Sequence, residues 1–175
     1  MGRIGRTAGM IAFLLTVVTS GVYPPPVGAG SEPVIVADLG GQPIPAVDVS
    51  RYHCEDLDFP RIHCYALAGD RDRAVAGRLA VQATGGLAID ATAYVLIFQD
   101  AQFAGPSAYL TVAYDDLSVI GWNDRISSFK GQGGSGGTFF EHIYGGGFAY
   151  PFNAGQSVSY VGDPYNDKFS SVKPR

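Results

Sequence analysis

Two short stretches near the end of the chain carry the same order of side chains that could bind a cation. One reads WNDRISS from Trp122, and the other reads YNDKFSS from Tyr165. Each offers an Asp carboxylate, an Asn amide oxygen, a Ser hydroxyl and the carbonyl groups of a turn. Those are the oxygen ligands that a hard cation such as Ca²⁺ takes, about six to eight of them per ion.

The same residues are also ordinary turn formers, since Asn, Asp and Ser side chains bond their own backbone. A single copy would leave the two interpretations open. Turn formation requires no fixed order of these residue types, so the same order in two places favours calcium. The candidate side chains are Asn123, Asp124, Ser127, Asn166, Asp167 and Ser170.

The similarity between the two stretches extends upstream of both. Asp124 and Asp167 are 43 residues apart, and a period of roughly 20 to 50 residues indicates a duplicated unit that buries its apolar face against its copy. Upstream, each copy has an aromatic, four residues, a second aromatic, one residue and a glycine. These positions are Phe98, Phe103 and Gly105, then Phe139, Tyr144 and Gly146. We assign the aromatics to packing and the glycines to a backbone angle closed to other residues.

The elements that would position these loops are short strands. From Ala93 onward, β-branched and aromatic runs such as TAYVLIFQD, SAYLTVAYD and GFAYPF alternate with Gly, Asn and Asp. About six such runs at a spacing of roughly 8 to 12 residues predict an antiparallel sandwich or barrel. The GQGGSGG stretch includes Gly133-x-Ser135-x-Gly137, formally a nucleophile elbow, but it lacks the strand before and the helix after that this motif needs.

The preceding part of the chain has a different character. A β-rich run at Val34–Val36 is followed by turn signals, and DRDRAVAGRLAVQATGG spaces Val75, Leu79 and Ala83 as one face of a short helix. We therefore predict an αβ extension over residues 31–92, whose own core is too thin for an independent domain. The sandwich domain is expected over residues 93–175.

The first thirty residues are typical of a secretory signal peptide. Arg3 and Arg6 precede an apolar run of about ten residues, and small residues follow. That run is shorter than the roughly 20 residues of a membrane span, so we expect cleavage near Ala29 or Gly30, secretion, and no membrane attachment of the mature chain. A retained anchor is the alternative.

The two cysteines lie in the segment HCEDLDFPRIHC. Export would place Cys54 and Cys64 in an oxidising compartment, where one intrachain disulfide is expected. His53 and His63 precede them, and two His with two Cys is also a zinc ligand set. Ligands on adjacent residues are unlike the usual zinc spacing, so the disulfide is the preferred interpretation.

The doubled motifs resemble those of the βγ-crystallin family in its microbial, calcium-binding branch. The resemblance covers about residues 93–173 and implies a double Greek-key β-sandwich with two Ca²⁺ sites shared between the loops. One site would use the Arg125 carbonyl, Ser127 and Asp167. The other would use the Lys168 carbonyl, Ser170 and Asp124. A further carbonyl would come from each hairpin, at Gln99 and at Glu141, although FFEHIYGGG can be aligned with either Phe139 or Phe140 in the first aromatic place.

Composition excludes several functions. Loss of Arg3 and Arg6 with the signal peptide changes the formal charge from -4 to -6, and no Lys or Arg lies between Arg78 and Arg125. A nucleic-acid partner is therefore not expected. His142 beside Glu141 is the best acid–base candidate, but no triad or phosphate loop accompanies it, so we expect no enzyme.

Two functions remain from the sequence. The first is a secreted Ca²⁺-binding module with a structural or interaction role, its partner an extracellular protein or cell-surface target. The second is a peptidase inhibitor or killer-toxin-like protein on the same fold. An inhibitor loop is typically braced by disulfides, and residues 93–175 contain no cysteine.

Overall fold

The computed structural model describes residues 33–84, 94–132 and 136–175. The predicted signal peptide, the predicted domain boundary at residues 92–93 and most of the Gly133-x-Ser135-x-Gly137 stretch lie outside the described residues. Among the residues that are described, no helix has the length and apolar character that a membrane crossing needs.

The described chain consists mainly of short strands, as its β-branched and aromatic runs predict. In chain order the strands are β1 Val36–Leu39, β2 Gln42–Ile44, β3 His53–Asp58, β4 Arg61–Tyr65, β5 Tyr94–Asp100, β6 Ala104–Leu110, β7 Ser128–Gln132, β8 Gly137–Phe140, β9 Ala149–Phe152, β10 Ser157–Val158 and β11 Ser171–Pro174. Helix α1, Ala68–Thr84, lies where the apolar spacing predicts it.

Two sheets contain these strands. The larger sheet has the order β10-β7-β5-β6-β3-β4-β1-β2, and the smaller has the order β11-β8-β9. The pairs β3–β6 and β1–β4 are parallel, and the other pairs are antiparallel. The predicted fold class, a β-sandwich with a small αβ extension, is confirmed.

The core lies between the sheets. Cys54, Ala108, Ile97 and Phe129 are successive partners across four strands of the larger sheet, and all are buried. Successive residues of a strand alternate between faces, so this row presents one continuous apolar surface. Phe139 of the smaller sheet meets it, with its ring centroid 5.0 Å from that of Phe129.

The extension joins the sandwich through both faces of its strands. Strand β3 pairs with β6, so the sheet continues from the C-terminal half into the extension without an edge between them. On the face away from the core, α1 places Val75 against Leu96, Phe98 and Tyr109. The extension thereby obtains the apolar cover that its own few residues could not supply.

Strands β2, β3 and β4 are absent from the sequence prediction, which placed a strand at Val34–Val36 and turns after it. The chain instead forms β1 from Val36 onward and reverses at Gly40 and Gly41, whose φ angles are +57° and +85°. Those angles suit glycine, which lacks the Cβ that would clash.

The predicted disulfide is confirmed. Cys54 and Cys64 are directly opposite each other on β3 and β4 and are bonded through their sulfurs. No thiolate is therefore left for the zinc alternative. The two histidines have other partners: His53 Nδ1 lies 2.9 Å from Ser107 Oγ, and His63 Nδ1 lies 2.9 Å from Asp38 Oδ2.

Candidate metal site

Both polar loops adopt the same local conformation. Asp124 and Asp167 have φ angles of +55° and +54°, the left-handed region that Asp and Asn tolerate better than bulkier residues. The preceding Asn side chain donates a hydrogen bond to one oxygen of each Asp, at 2.7 Å from Asn123 and 2.8 Å from Asn166. Each carboxylate is thus oriented by its neighbour and keeps its second oxygen, Oδ1, for other ligands.

The loops face one another across an approximate two-fold axis. The Asp124 N–H donates to the carbonyl of Phe169 at 3.0 Å, and the Asp167 N–H donates to the carbonyl of Ile126 at 3.4 Å. Ile126 and Phe169 occupy the same place in the two motifs. Backbone groups of one loop therefore hold the other, which is the crossing between motifs that shared sites require.

One predicted pair of side chains meets across this axis. Ser127 Oγ donates to Asp167 Oδ1 at 3.3 Å, a long hydrogen bond between residues 40 apart in sequence. Both Ser127 and Ser170 are buried, whereas Asp124 and Asp167 are exposed. The arrangement puts a fixed hydroxyl beside a carboxylate that solvent can reach.

The hairpins reach the loops through a second repeated contact. The Ser127 N–H donates to the Phe98 carbonyl at 3.1 Å, and the Ser170 N–H donates to the Phe140 carbonyl at 2.9 Å. Phe140, and not Phe139, is therefore the equivalent of Phe98. This alignment puts Glu141 at the place of Gln99.

The assignment of the second hairpin by spacing was wrong in two positions. Gly147, with φ +71°, is the equivalent of Gly105, with φ +73°, whereas Gly146 is extended at φ -86°. Tyr144 is 74% exposed and does not pack in the core. A run of two phenylalanines and three glycines allows a shift of one residue, and only the backbone pairing resolves it.

The last serine of each motif has a structural role that the sequence did not reveal. Ser128 Oγ donates to the carbonyl of Asp100 at 2.6 Å, and Ser171 Oγ donates to the carbonyl of His142 at 2.7 Å. These hydroxyls attach each loop to its own hairpin. They leave Ser127 and Ser170 as the serines that face the other loop.

A polar cleft of about 320 Å³ lies where the first site is predicted. It is lined by Gln99, Asp100, Asn123, Asp124, Arg125, Ser127 and Asp167. Asp100 was not predicted as a site residue. The available signal was its position, one residue after Gln99 at the end of β5.

The residues present fit a hard cation. The donor set consists of carbonyl, hydroxyl, amide and carboxylate oxygens, which Ca²⁺ prefers. Asn166 Oδ1 is buried and accepts no hydrogen bond, so its lone pairs are available. Arg125 and Lys168 are exposed, which keeps their charges in water. In the described residues no three His, Cys, Asp or Glu side chains cluster, a set that transition metals would favour.

The comparisons with known proteins agree with the pattern of the loops. No family model and no curated protein matches the sequence. Among solved structures, an archaeal βγ-crystallin matches 48% of this chain over 99% of its own length, with 24% identity and a TM-score of 0.43. A βγ-crystallin from Ciona intestinalis matches 47% of this chain over 99% of its own length, with 28% identity and a TM-score of 0.42. A double mutant of a Clostridium beijerinckii βγ-crystallin domain matches 46% over 93%, with 29% identity and a TM-score of 0.41.

Over about half its length, this chain is similar to βγ-crystallin domains. The resemblance predicted from the hairpin and loop motifs is confirmed. In the βγ-crystallin-like half, the paired loops are joined to each other by backbone hydrogen bonds between the two motifs.

Outside that half, the extension buries two adjacent acids on β3. Asp56 Oδ1 accepts a hydrogen bond from the Thr111 N–H at 2.7 Å, and Oδ2 accepts one from the Tyr114 hydroxyl at 2.9 Å. Burial is the largest influence and raises the pKa of Asp56 to about 6, while those hydrogen bonds act in the opposite direction. Asp56 thereby ties the extension to the βγ-crystallin-like half.

Glu55 points to the opposite face, beneath α1. Its Oε2 accepts a hydrogen bond from the Leu57 N–H at 2.8 Å, and its Oε1 lies 3.4 Å from Arg78 Nη1 without a well-formed hydrogen bond. Burial raises the pKa of this carboxyl above its usual value. Glu55 is fully buried, so no substrate can reach it, and we assign it to the packing of α1.

Proposed function

We propose that this protein is a secreted Ca²⁺-binding βγ-crystallin-like module with a structural or interaction role. Two ions would be held between the loops. The first site would take the carbonyls of Gln99 and Arg125, the Ser127 hydroxyl and the Asp167 carboxylate. The second would take the carbonyls of Glu141 and Lys168, the Ser170 hydroxyl and the Asp124 carboxylate. Asn123 and Asn166 orient the carboxylates.

The contact between Ser127 Oγ and Asp167 Oδ1 carries this proposal. It brings one hydroxyl and one carboxylate from different motifs to the same cleft, with Gln99 and Arg125 on its walls. A hydrogen bond of 3.3 Å is at the long end of the range, so a cation that replaces it costs little. Binding would then join the two motifs through ligands from both.

Calorimetric titration and thermal unfolding test this function. At a calcium concentration ten times the Kd, each site adds about 1.4 kcal/mol to the free energy of unfolding. Two sites would raise the melting temperature by roughly 8 °C relative to protein in chelator, at roughly 3 °C per kcal/mol. A titration without heat at millimolar calcium, together with an unchanged melting temperature, would remove the proposal.

Variants of the carboxylates make the test specific. Asp124→Asn and Asp167→Asn keep a residue that tolerates positive φ and remove one charge each, so each should abolish one site. Because each Asp N–H bonds the other loop, we expect both changes to weaken the remaining site as well. Asp70→Asn, in α1 and far along the chain from both loops, is the matched control and should bind calcium as the wild type does.

Secretion is supported by the disulfide between Cys54 and Cys64, since such bonds persist in oxidising compartments. Expression of the full precursor in a secreting host, followed by N-terminal sequencing of protein in the medium, tests it. A new N-terminus near residue 30 is expected. Retention of the intact precursor in the cell would contradict secretion.

The interaction role has its own support at the tip of the second hairpin. Ile143 and Tyr144 are exposed there, and the Tyr144 N–H donates to the Asp115 carbonyl at 2.7 Å, which holds the tip without a disulfide. A rigid exposed aromatic side chain loses little entropy on binding a protein. A peptidase inhibitor is the second candidate on this observation. The absence of inhibition at micromolar protein across secreted metallo- and serine peptidases would dismiss it.

A further inference from the structure

The two calcium sites proposed above differ at one matched position. Ser128 Oγ bonds the carbonyl of Asp100, and Ser171 Oγ bonds the carbonyl of His142. Asp100 and His142 are therefore equivalent residues of the two hairpins, each directly after the residue whose carbonyl faces a site. One hairpin presents a carboxylate here and the other presents an imidazole.

Asp100 contributes to the wall of the first cleft, together with Gln99, Ser127 and Asp167. It is exposed at the end of β5. The other charges near the two sites are balanced: Asp124 and Asp167 are equivalent, and exposed cations, Arg125 and Lys168, occupy the same place in each loop.

The acid of the second hairpin does not compensate for this difference. Glu141 Oε2 accepts a hydrogen bond from the Phe148 N–H at 3.3 Å, across the base of its own hairpin. The side chain is folded over Gly147, where a Cβ atom would lie 2.8 Å from Oε2. Its carboxylate thus closes the hairpin rather than facing the loops.

We propose that Asp100 makes the two sites unequal, so that the site of Gln99, Arg125, Ser127 and Asp167 fills first and binds Ca²⁺ about tenfold more tightly. This inference rests on the proposed calcium function. Its physical basis is the number of negative charges around the ion, which tunes calcium affinity in proteins. Because Asp100 is exposed, its effect is electrostatic and screened by salt.

Single-site variants allow the two affinities to be measured separately. Ser170→Ala removes the private hydroxyl of the second site, and Ser127→Ala removes that of the first. Calorimetric titration at about pH 8, where His142 is neutral, should give a Kd about tenfold lower for Ser170→Ala than for Ser127→Ala. Thermal unfolding in chelator checks that both variants fold.

Asp100→Asn then tests the cause. In the Ser170→Ala background it should raise the Kd about tenfold, a loss of about 1.4 kcal/mol, and the effect should shrink when KCl is raised from about 0.05 to about 0.5 M. In the Ser127→Ala background it should change the Kd less than twofold. An equal change in both backgrounds, or an effect independent of salt, would overturn the role of Asp100.

His142→Asp provides the reverse test at an exposed position, so its folding is not at risk. The added carboxylate should tighten the second site about tenfold and make the two sites similar. No tightening would contradict the inference while calcium binding itself persisted. Absence of any calcium binding in the wild type would instead be a failure of the proposed function.

Discussion

Replacement of Asp56 by asparagine should remove a large part of the dependence of stability on pH. Asp56 is 1% exposed, and its pKa in the folded protein is about 6, compared with 3.8 for the free side chain. Below about pH 4 the group is protonated in both states and contributes nothing to the pH dependence. Between about pH 4 and pH 6 the unfolded chain releases this proton before the folded protein does.

The free energy of unfolding must therefore fall as the pH rises through this window, because the folded state binds more protons than the unfolded state. At about 1.36 kcal/mol per pH unit, the difference between the two pKa values corresponds to a loss of about 3 kcal/mol by pH 7. The amide of the Asp56→Asn variant would keep an oxygen for the Thr111 N–H but has no proton to release. The variant should show this fall reduced by about 3 kcal/mol.

Urea unfolding followed by Trp122 fluorescence, in chelator and at constant ionic strength from about pH 4 to pH 8, measures the effect. Asp70→Asn, which replaces a partly exposed acid in α1, should follow the wild-type profile. Tyr114→Phe should enlarge the fall, because the Tyr114 hydroxyl is a donor that stabilises the ionised carboxylate. If Asp56→Asn and the wild type have parallel profiles, the buried carboxylate does not titrate in this window and the reasoning fails.

Three further substitutions test the packing. Gly121→Ala should cost about 3 kcal/mol, since φ is +72° and a Cβ would overlap a backbone carbonyl oxygen, whereas Gly155→Ala at φ +73° has open space and should cost only about 1 kcal/mol. Phe139→Ala removes a fully buried ring and should cost about 3 to 5 kcal/mol by urea unfolding. Double replacement of Cys54 and Cys64 by Ala should lower the stability by about 2 to 3 kcal/mol, and a midpoint equal to that of the wild type would show that the bond adds nothing.

The βγ-crystallin-like half was largely predictable because its information is local. Strand β5 is a run of β-branched and aromatic residues, and the doubled loop motif has a fixed order. The cation ligands predicted at Ser127 and Asp167 meet in the structure. What the motif could not reveal is the distinct task of Ser128, because a hydroxyl looks the same whether it faces a cation or bonds a hairpin carbonyl.

The extension was predicted less well because its stability depends on distant partners. Glu55 and Asp56 made the HCEDLDFPRIHC segment look like a polar loop, yet both acids are buried in strand β3. The groups that compensate for burial of Asp56, on Thr111 and Tyr114, lie 55 and 58 residues away. No pattern within a window of the sequence shows that a buried acid will find those donors.

A chain of contacts runs from the extension to the calcium loops. Asp56 bonds the Tyr114 hydroxyl, and the backbone of Tyr114 pairs with that of Val172 through two hydrogen bonds of 2.9 and 3.0 Å. Val172 is two residues from Ser170, whose hydroxyl is proposed to bind an ion. Cys54 and Val172 also belong to the same buried core. Any free energy that calcium adds at the loops therefore stabilises strand β3 as well, because β3 cannot leave the sheet without exposing that core.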